Sequence, residues 1–401
     1  MLVVGGGYVG LAAAVAVKQA APHLDVEVIE AAPETVWKKD MRASAVIAAA
    51  VKMLDVFGIW DGIRAQAQPI HRMIVTDSRT GDPVRPVFLT FDGEVENGEP
   101  FAYMIENAIM VGALRGVCER LGIAIRHGLT ATGFTTGDTS VTLSLSDGST
   151  VETRLLVACD GVRSKLRDMA GIKTVNWSYG QSGIVATVEH ERPHEGCAEE
   201  HFLPAGPFAI LPLTGNRSSL VWTERTADAE RLIAADELVF EEELERRFGH
   251  KLGPLRATGE RRAFPLGLTL AREFVAPRFA LAGDAAHGIH PISGQGLNLG
   301  FKDVAALAET VVEADRLGLD IGSINILERY QTWRRFDTFR MGVTTDVLNR
   351  LFSNDVAPLR VARDIGLGLV DRMPRLKSYF IGQAAGTAAH GKPRLLAGEA
   401  I

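Results

Sequence analysis

The chain has 401 residues, 46% hydrophobic and 23% charged, with a mean hydropathy of +0.08: enough for two or more domain-sized units of ordinary globular composition. Its net charge of −6, with no polybasic run, leaves no basic field for nucleic acid and argues against electrostatic docking to anionic lipid. Three widely spaced cysteines, Cys118, Cys159 and Cys197, make neither a disulfide framework nor a zinc ribbon and predict a reducing cytoplasm.

Residues 1–30 predict strand, glycine turn, helix and strand: Leu2–Val4, the turn from Gly5 to Gly10, an alanine-rich helix over 11–21 and a strand over 26–30. No signal peptide is read ahead of them, although the abrupt first strand leaves room for residues upstream. Val46, Ala49, Ala50, Met53 and Phe57 recur at helical spacing and predict a helix over 42–58. Apolar runs at 11–17 and 43–51 each stop at a lysine, well short of the ~18 residues of a membrane span. From 73 to 101, glycine and proline punctuate short β-type runs, as in a meander.

A helix is expected over 108–121, followed by strands at 124–126 and 141–145 with a hairpin turn at Asp147-Gly148. A buried strand at 154–158 ends at "CDGVRSKLR". Several strands over 179–225, an acidic helix near 237–248 and a short buried strand at 279–282 lead to a mostly helical remainder beyond Asn298. Dinucleotide-type segments at both ends therefore bracket β-rich insertions, so interleaved domains are expected.

"VVGGGYVG" contains Gly5-x-Gly7-x-x-Gly10 between a strand and a helix. Gly5 permits the tight turn, Gly7 lets backbone approach a pyrophosphate, and Gly10 allows helix to pack on strand. Glu30 ends the next strand 20 residues past Gly10, the position of the acid that bonds a ribose 2′-hydroxyl and disfavours a 2′-phosphate. The turn predicts a dinucleotide site, for FAD or NAD.

Asp160-Gly161 closes the buried strand at 154–158 and, taken alone, is as readily an ordinary turn. "FALAGDAAHGIHPISGQGLNLG" (279–300) is far more specific. Asp284 is offered among small residues, where its carboxylate can hold sugar hydroxyls. Gly294 and Gly296 remove side chains where a helix begins, so a flat ring lying there meets backbone N–H groups and the positive end of that helix.

These three motifs, with "LNRLFSND" (348–355), "RASAV" and "FGIWDGI", resemble the class A flavoprotein monooxygenases of the p-hydroxybenzoate hydroxylase type, and most of all the ubiquinone-biosynthesis hydroxylases. The resemblance implies an α/β fold: a Rossmann-like FAD-binding domain (1–72, 102–174 and 266–340), a mostly antiparallel β-sheet substrate domain (73–101 and 175–265) and a C-terminal helical region (341–401). It implies that Gly5, Gly7, Gly10 and Glu30 hold the ADP half of non-covalent FAD. Arg42 is implied near the flavin or pyrophosphate, Asp160 and Gly161 in a fingerprint shared by FAD and reduced nicotinamide, and Asp284 on the ribityl chain. Residues 291–298, with Pro291, Gly294, Gly296, Leu297 and Asn298, are implied to border the isoalloxazine and the substrate. Relatives carry Arg or Gln early in the helix after the first insertion; here that stretch reads "ENAIMVGALRG", where neither Asn107 nor Arg115 is assigned that role.

The implied reaction is hydroxylation of a polyprenylated phenol by O2 through a flavin hydroperoxide, in the cytoplasm or at the membrane periphery. NAD(P)H or a protein donor supplies the electrons. Association with a ubiquinone-biosynthesis complex and a homodimer both stay open, as do reduction of isoprenoid double bonds and a non-catalytic scaffold. Asp284, His287 and His290 lack the regular helix that would gather them on a metal, and His287 is expected to pack and hydrogen-bond beside the cofactor. Ser293 lacks the glycine of a nucleophile elbow. Phe202, Phe208 and Trp222 are core by default; with Leu211 and Leu220 they are the apolar residues available for a prenyl chain. "IGLGLV", beside Arg363, Arg372, Arg375 and Lys377, is read equally as a membrane-resting or a solvated helix.

Overall fold

Aliphatic runs without polar alternation make strands covered on both faces, and Leu2–Val4, Leu156–Ala158 and Phe279–Leu281 are buried throughout. In the computed structural model, which describes residues 1–80, 82, 85–92, 94–95, 99–353 and 392–401, they pair in parallel at the centre of a six-stranded sheet. Its order is Ala124–His127, Glu27–Glu30, Leu2–Val4, Leu156–Ala158, Phe279–Leu281 and Val275–Ala276. The helix Tyr8–Ala20 buries Gly10 through Val17. It packs beside the helix Gln295–Arg316, with Val9 against Gly283 and Gly300.

A second sheet runs His287–Gly288, Leu255–Ala271, Thr174–His190, Arg217–Arg225, Gly206–Leu213, Cys197–Leu203, Arg72–Asp77 and Val87–Asp92. Neighbours are antiparallel except for Cys197–Leu203 beside Arg72–Asp77, which is parallel. The first strand matters most for the site. His287 and Gly288, inside the glycine-rich segment, pair with Leu270 and Thr269, so that segment is stitched to both sheets.

Two expectations need correction. Residues 42–58 are not one helix: Ala43–Ile47 is a strand antiparallel to Ala102–Glu106, and the helix occupies Ala48–Val56. The helical spacing of apolar residues is real, but the partner strand satisfies the extended backbone and tertiary pairing overrides periodicity. Phe208, Leu220 and Trp222 offer no surface to a prenyl chain. They are fully buried between the second sheet and the helices Thr226–Ala234 and Glu237–Phe248, with Trp222 edge-on to Phe208 at 5.8 Å. Phe202 is buried too, stacked on Phe352 at 4.2 Å.

The long helix Ile324–Phe352 crosses behind both sheets, and the Tyr330 hydroxyl donates to the Leu281 carbonyl at 2.7 Å. Asn349, in the "LNRLFSND" stretch, donates its amide to Gln181 Oε1 at 2.9 Å, joining this helix to the second sheet. The final helix Arg394–Ala397 rests on Ala48–Val56, and the Arg394 N–H donates to Glu309 at 2.8 Å. "IGLGLV", Arg363, Arg372, Arg375 and Lys377 lie outside the described residues. Among those described, no helix is long and apolar enough to cross a membrane.

Candidate functional site

Gly5 sits at φ +112°, with its N–H bonded to the Ile29 carbonyl at 2.8 Å. A Cβ there would lie 2.2 Å from the Cys159 carbonyl oxygen, and one on Gly10 would lie 1.9 Å from that of Gly5. Neither position has room for a side chain. Gly7 is the opposite case: it is exposed, and nothing lies within 4 Å of where its Cβ would be. It caps the helix Tyr8–Ala20, which has no side-chain cap, so the first N–H groups are left for an anion. The Glu30 carboxylate is fixed by the Gly6 N–H on one oxygen and by the Ala32 N–H, at 2.7 Å, on the other.

Three further sequence-expected residues converge on this turn. Asp284 is the exposed member of an otherwise buried stretch, 279–287. Protein still surrounds it closely enough for desolvation to raise its carboxyl pKa, against the pull of His287 and Arg42. Burial also raises the Tyr8 hydroxyl pKa, and the Asp284 charge adds to that. Arg42, itself acted on by Tyr8 and Asp284, forks onto Asp40 with two bonds of 2.8 Å and lies over the Phe264 ring. Tyr8, Arg42 and Asp284 are thus close enough to act on one another's charge. Asp160 lies at the end of the adjacent strand: one carboxylate oxygen takes the Leu166 N–H at 3.4 Å, and the other is buried with no partner among the described residues.

Residues 291–298 form a short 3-10 turn and then the helix Gln295–Arg316, again without a side-chain cap. The Pro291 carbonyl accepts from the Gly294 N–H at 2.9 Å. Gly294 is left-handed at φ +61°, with Ala45 3.3 Å from its would-be Cβ; around Gly296 there is nothing within 4 Å. The side chains of Leu297 and Asn298 turn inward. Leu297 is in the core, and the Asn298 amide clamps the strand Ala43–Ile47 by accepting from Ile47 N at 3.1 Å and donating to the Ala45 carbonyl at 2.8 Å.

The network behind this segment is invisible in the sequence motifs. Asp303 is wholly buried; it accepts from the Gly283 N–H at 2.9 Å and from Arg334 Nε at 2.8 Å, and bonds His287 Nε2 at 2.5 Å. Burial pushes its carboxyl pKa up, but His287 and Arg334 outweigh that and hold it below the ordinary value. Its one sequence signal is an acid on the buried face of an apolar helix. Of the two arginine-role contenders, Asn107 accepts from Ser44 Oγ at 2.8 Å near Arg42, while Arg115 lies over Trp37 and bonds His127 at 2.9 Å.

Two helix N-termini without side-chain caps, an open glycine at each, a fixed acid and an unpartnered buried carboxylate oxygen fit an adenine dinucleotide carrying a second planar ring. If the ribose sits on Glu30, Glu30→Ala weakens FAD about 10- to 100-fold, the ~1.5–3 kcal/mol of a charge-assisted hydrogen bond. Fluorescence titration of the apoprotein measures this; unchanged affinity removes the ribose from Glu30.

The comparisons agree. The family model described as "FAD binding domain" matches residues 1–335. The ubiquinone hydroxylase UbiL of Rhodospirillum rubrum is 46% identical over 99% of this chain and 92% of its own length. The 3-demethoxyubiquinol 3-hydroxylase of Escherichia coli is 34% identical over 96% and 97%. In fold, p-nitrophenol 4-monooxygenase PnpA from Pseudomonas putida superposes with a TM-score of 0.79 at 20% identity, covering 97% of this chain and 98% of that one. With a matching family model over most of its length and relatives aligned end to end, the chain belongs to the FAD-dependent aromatic monooxygenases, in their ubiquinone-hydroxylase group.

Proposed function

We propose that this enzyme hydroxylates the ring of a polyprenylated phenol on the way to ubiquinone. The observation that carries the reading is the end-to-end likeness to ubiquinone hydroxylases, joined to a site whose open positions match an FAD. Reduced flavin with dioxygen supplies an electrophilic oxygen, and an electron-rich phenol accepts it.

The chain's own residues bind and orient. Gly5, Gly7 and Gly10 admit the pyrophosphate to the helix N-terminus, Glu30 takes the ribose, and Arg42, Asp160 and Asp284 complete the polar cradle. The N–H groups of the helix beginning at Gln295 face the ring and favour negative charge on it. Pro291, Gly294 and Gly296 shape the wall beside the reacting edge, while Leu297 and Asn298 hold that wall through the core and the strand Ala43–Ile47. The proposed division of labour gives residues 1–72, 102–174 and 266–340 to FAD, and 73–101 and 175–265 to substrate. A phenol without a carboxylate suits two arginines here that already hold acids: Arg217, in the second sheet, is paired with Glu106, and Arg247, on the helix Glu237–Phe248, with Glu224 and Glu243. Electrons come from NAD(P)H or a protein donor, and the lipid substrate puts the enzyme at a membrane periphery.

The deciding measurement is the quinone pool of a strain lacking the gene. An accumulated under-hydroxylated polyprenylphenol is the expected result. Normal ubiquinone, in a strain with no redundant hydroxylase, refutes the assignment.

A further inference from the structure

Composition gives this acidic chain no basis for binding lipid, yet the fold gathers arginine and large apolar residues on one face. The helix Ile324–Phe352 leaves Phe336 74%, Phe339 58%, Val343 41% and Val347 53% exposed. At about 3.6 residues per turn these four fall within about 80° of one another, a single outward stripe. Its first half borders a groove of about 540 Å³ whose lining includes Leu270, Phe274, Phe336 and Phe339 together with Arg272 and Arg335. Among the described residues, neither of those two arginine side chains has an ion-pair partner. The helix's other arginines are committed: Arg334 is buried on Asp303 and Asp337, Arg329 pairs with Glu313, Arg340 with Asp337 and Arg350 with Asp346. Among the described residues, Arg272 and Arg335 therefore carry the uncommitted positive charge at the groove.

We infer that this helix face and groove dock the protein on an anionic phospholipid membrane. Aromatic residues flanked by arginine are the composition of an interfacial helix, in which apolar side chains enter the acyl boundary and guanidinium groups meet phosphates. Charge favours this occupant, because among the described residues the lining of the groove holds two arginines and no acid, which suits the phosphates of anionic headgroups. The placement serves the site. Arg334 reaches inward to Asp303 while Arg335 and Phe336 face out, so one helix, about 10–12 Å across, separates the membrane from the segment that holds the ring. The inference rests on the hydroxylase reading for its biological purpose, but not for its readout.

The test is co-sedimentation of the FAD-loaded full chain with phosphatidylglycerol–phosphatidylcholine vesicles and with pure phosphatidylcholine vesicles, both free of substrate. Expected is pelleting with the anionic vesicles alone, reversed by raised salt. The double variant Phe336→Asp with Phe339→Asp should bind at least about tenfold less. Arg272→Gln with Arg335→Gln should also bind less, with melting temperature and bound flavin unchanged in both pairs; the second pair decides if the first fails to fold. Wild-type protein that stays in solution overturns the inference. So do variants that pellet like wild type, or a wild-type dimer that the aspartates turn into monomer. Vesicle binding by a protein that hydroxylates nothing would refute the proposed function and leave the docking face standing.

Discussion

Gly10→Val is expected to yield colourless, poorly folded protein, whereas Gly296→Val folds and fails only at the cofactor. The difference lies in what each side chain meets. At Gly10 the first carbon would be 1.9 Å from the Gly5 carbonyl, a backbone atom that cannot step aside without parting the first helix from the central strand. At Gly296 no atom lies within 4 Å and the backbone is ordinary right-handed helix, so valine costs the apoprotein little. It would instead fill the space proposed for the isoalloxazine. The overpacking there, ~1–3 kcal/mol, means FAD affinity about 5- to 150-fold lower. Circular dichroism and the flavin content of the purified variants separate the two cases. A Gly296→Val enzyme with normal flavin and normal hydroxylation puts the ring elsewhere.

Asp303→Ala should be the most destabilising single change near the site. It leaves the Arg334 guanidinium, 5% exposed, with Asp337 as its remaining carboxylate partner at 3.0 Å, and takes the acceptor from His287 and the Gly283 N–H. Breaking a buried charge pair from one side costs about 3–5 kcal/mol, readable by denaturant unfolding. The turn carrying Asp284 loses its anchor, so FAD should dissociate faster as well. The pH dependence has a defined sign. A carboxyl held below 3.8 in the folded state stabilises fully above that value and stops doing so as pH falls through its folded pKa. The gap between wild type and variant should therefore be flat from neutrality to about pH 4 and narrow below it. Buried His290, lowered to about 4 by desolvation, weakens both proteins alike as pH drops from 6.5 and cancels in the difference. A gap under ~1 kcal/mol at neutral pH would make the network incidental.

Local chemistry made much of this protein legible from its sequence. The glycine turn with its acid 20 residues on, and the small residues around Asp284, fit the constraints that a dinucleotide places on neighbouring backbone, and such constraints fall on short stretches of sequence. The family followed from them, and with it the α/β fold. What misled was periodicity without a partner: residues 42–58 carry a helical pattern, and only the strand Ala102–Glu106 with the Asn298 amide makes the first of them extended. Aromatic content misled in the same way, since Phe208 and Trp222 are apolar whether they line a cavity or fill a core. Asp303, His287 and Arg334 come from three separate elements, and nothing in their spacing says that they meet, because burial and charge pairing are properties of the packed chain. The arginine and phenylalanine face of the helix Ile324–Phe352 was hidden for the same reason. Net charge averages over the whole chain, whereas a membrane meets one side of it.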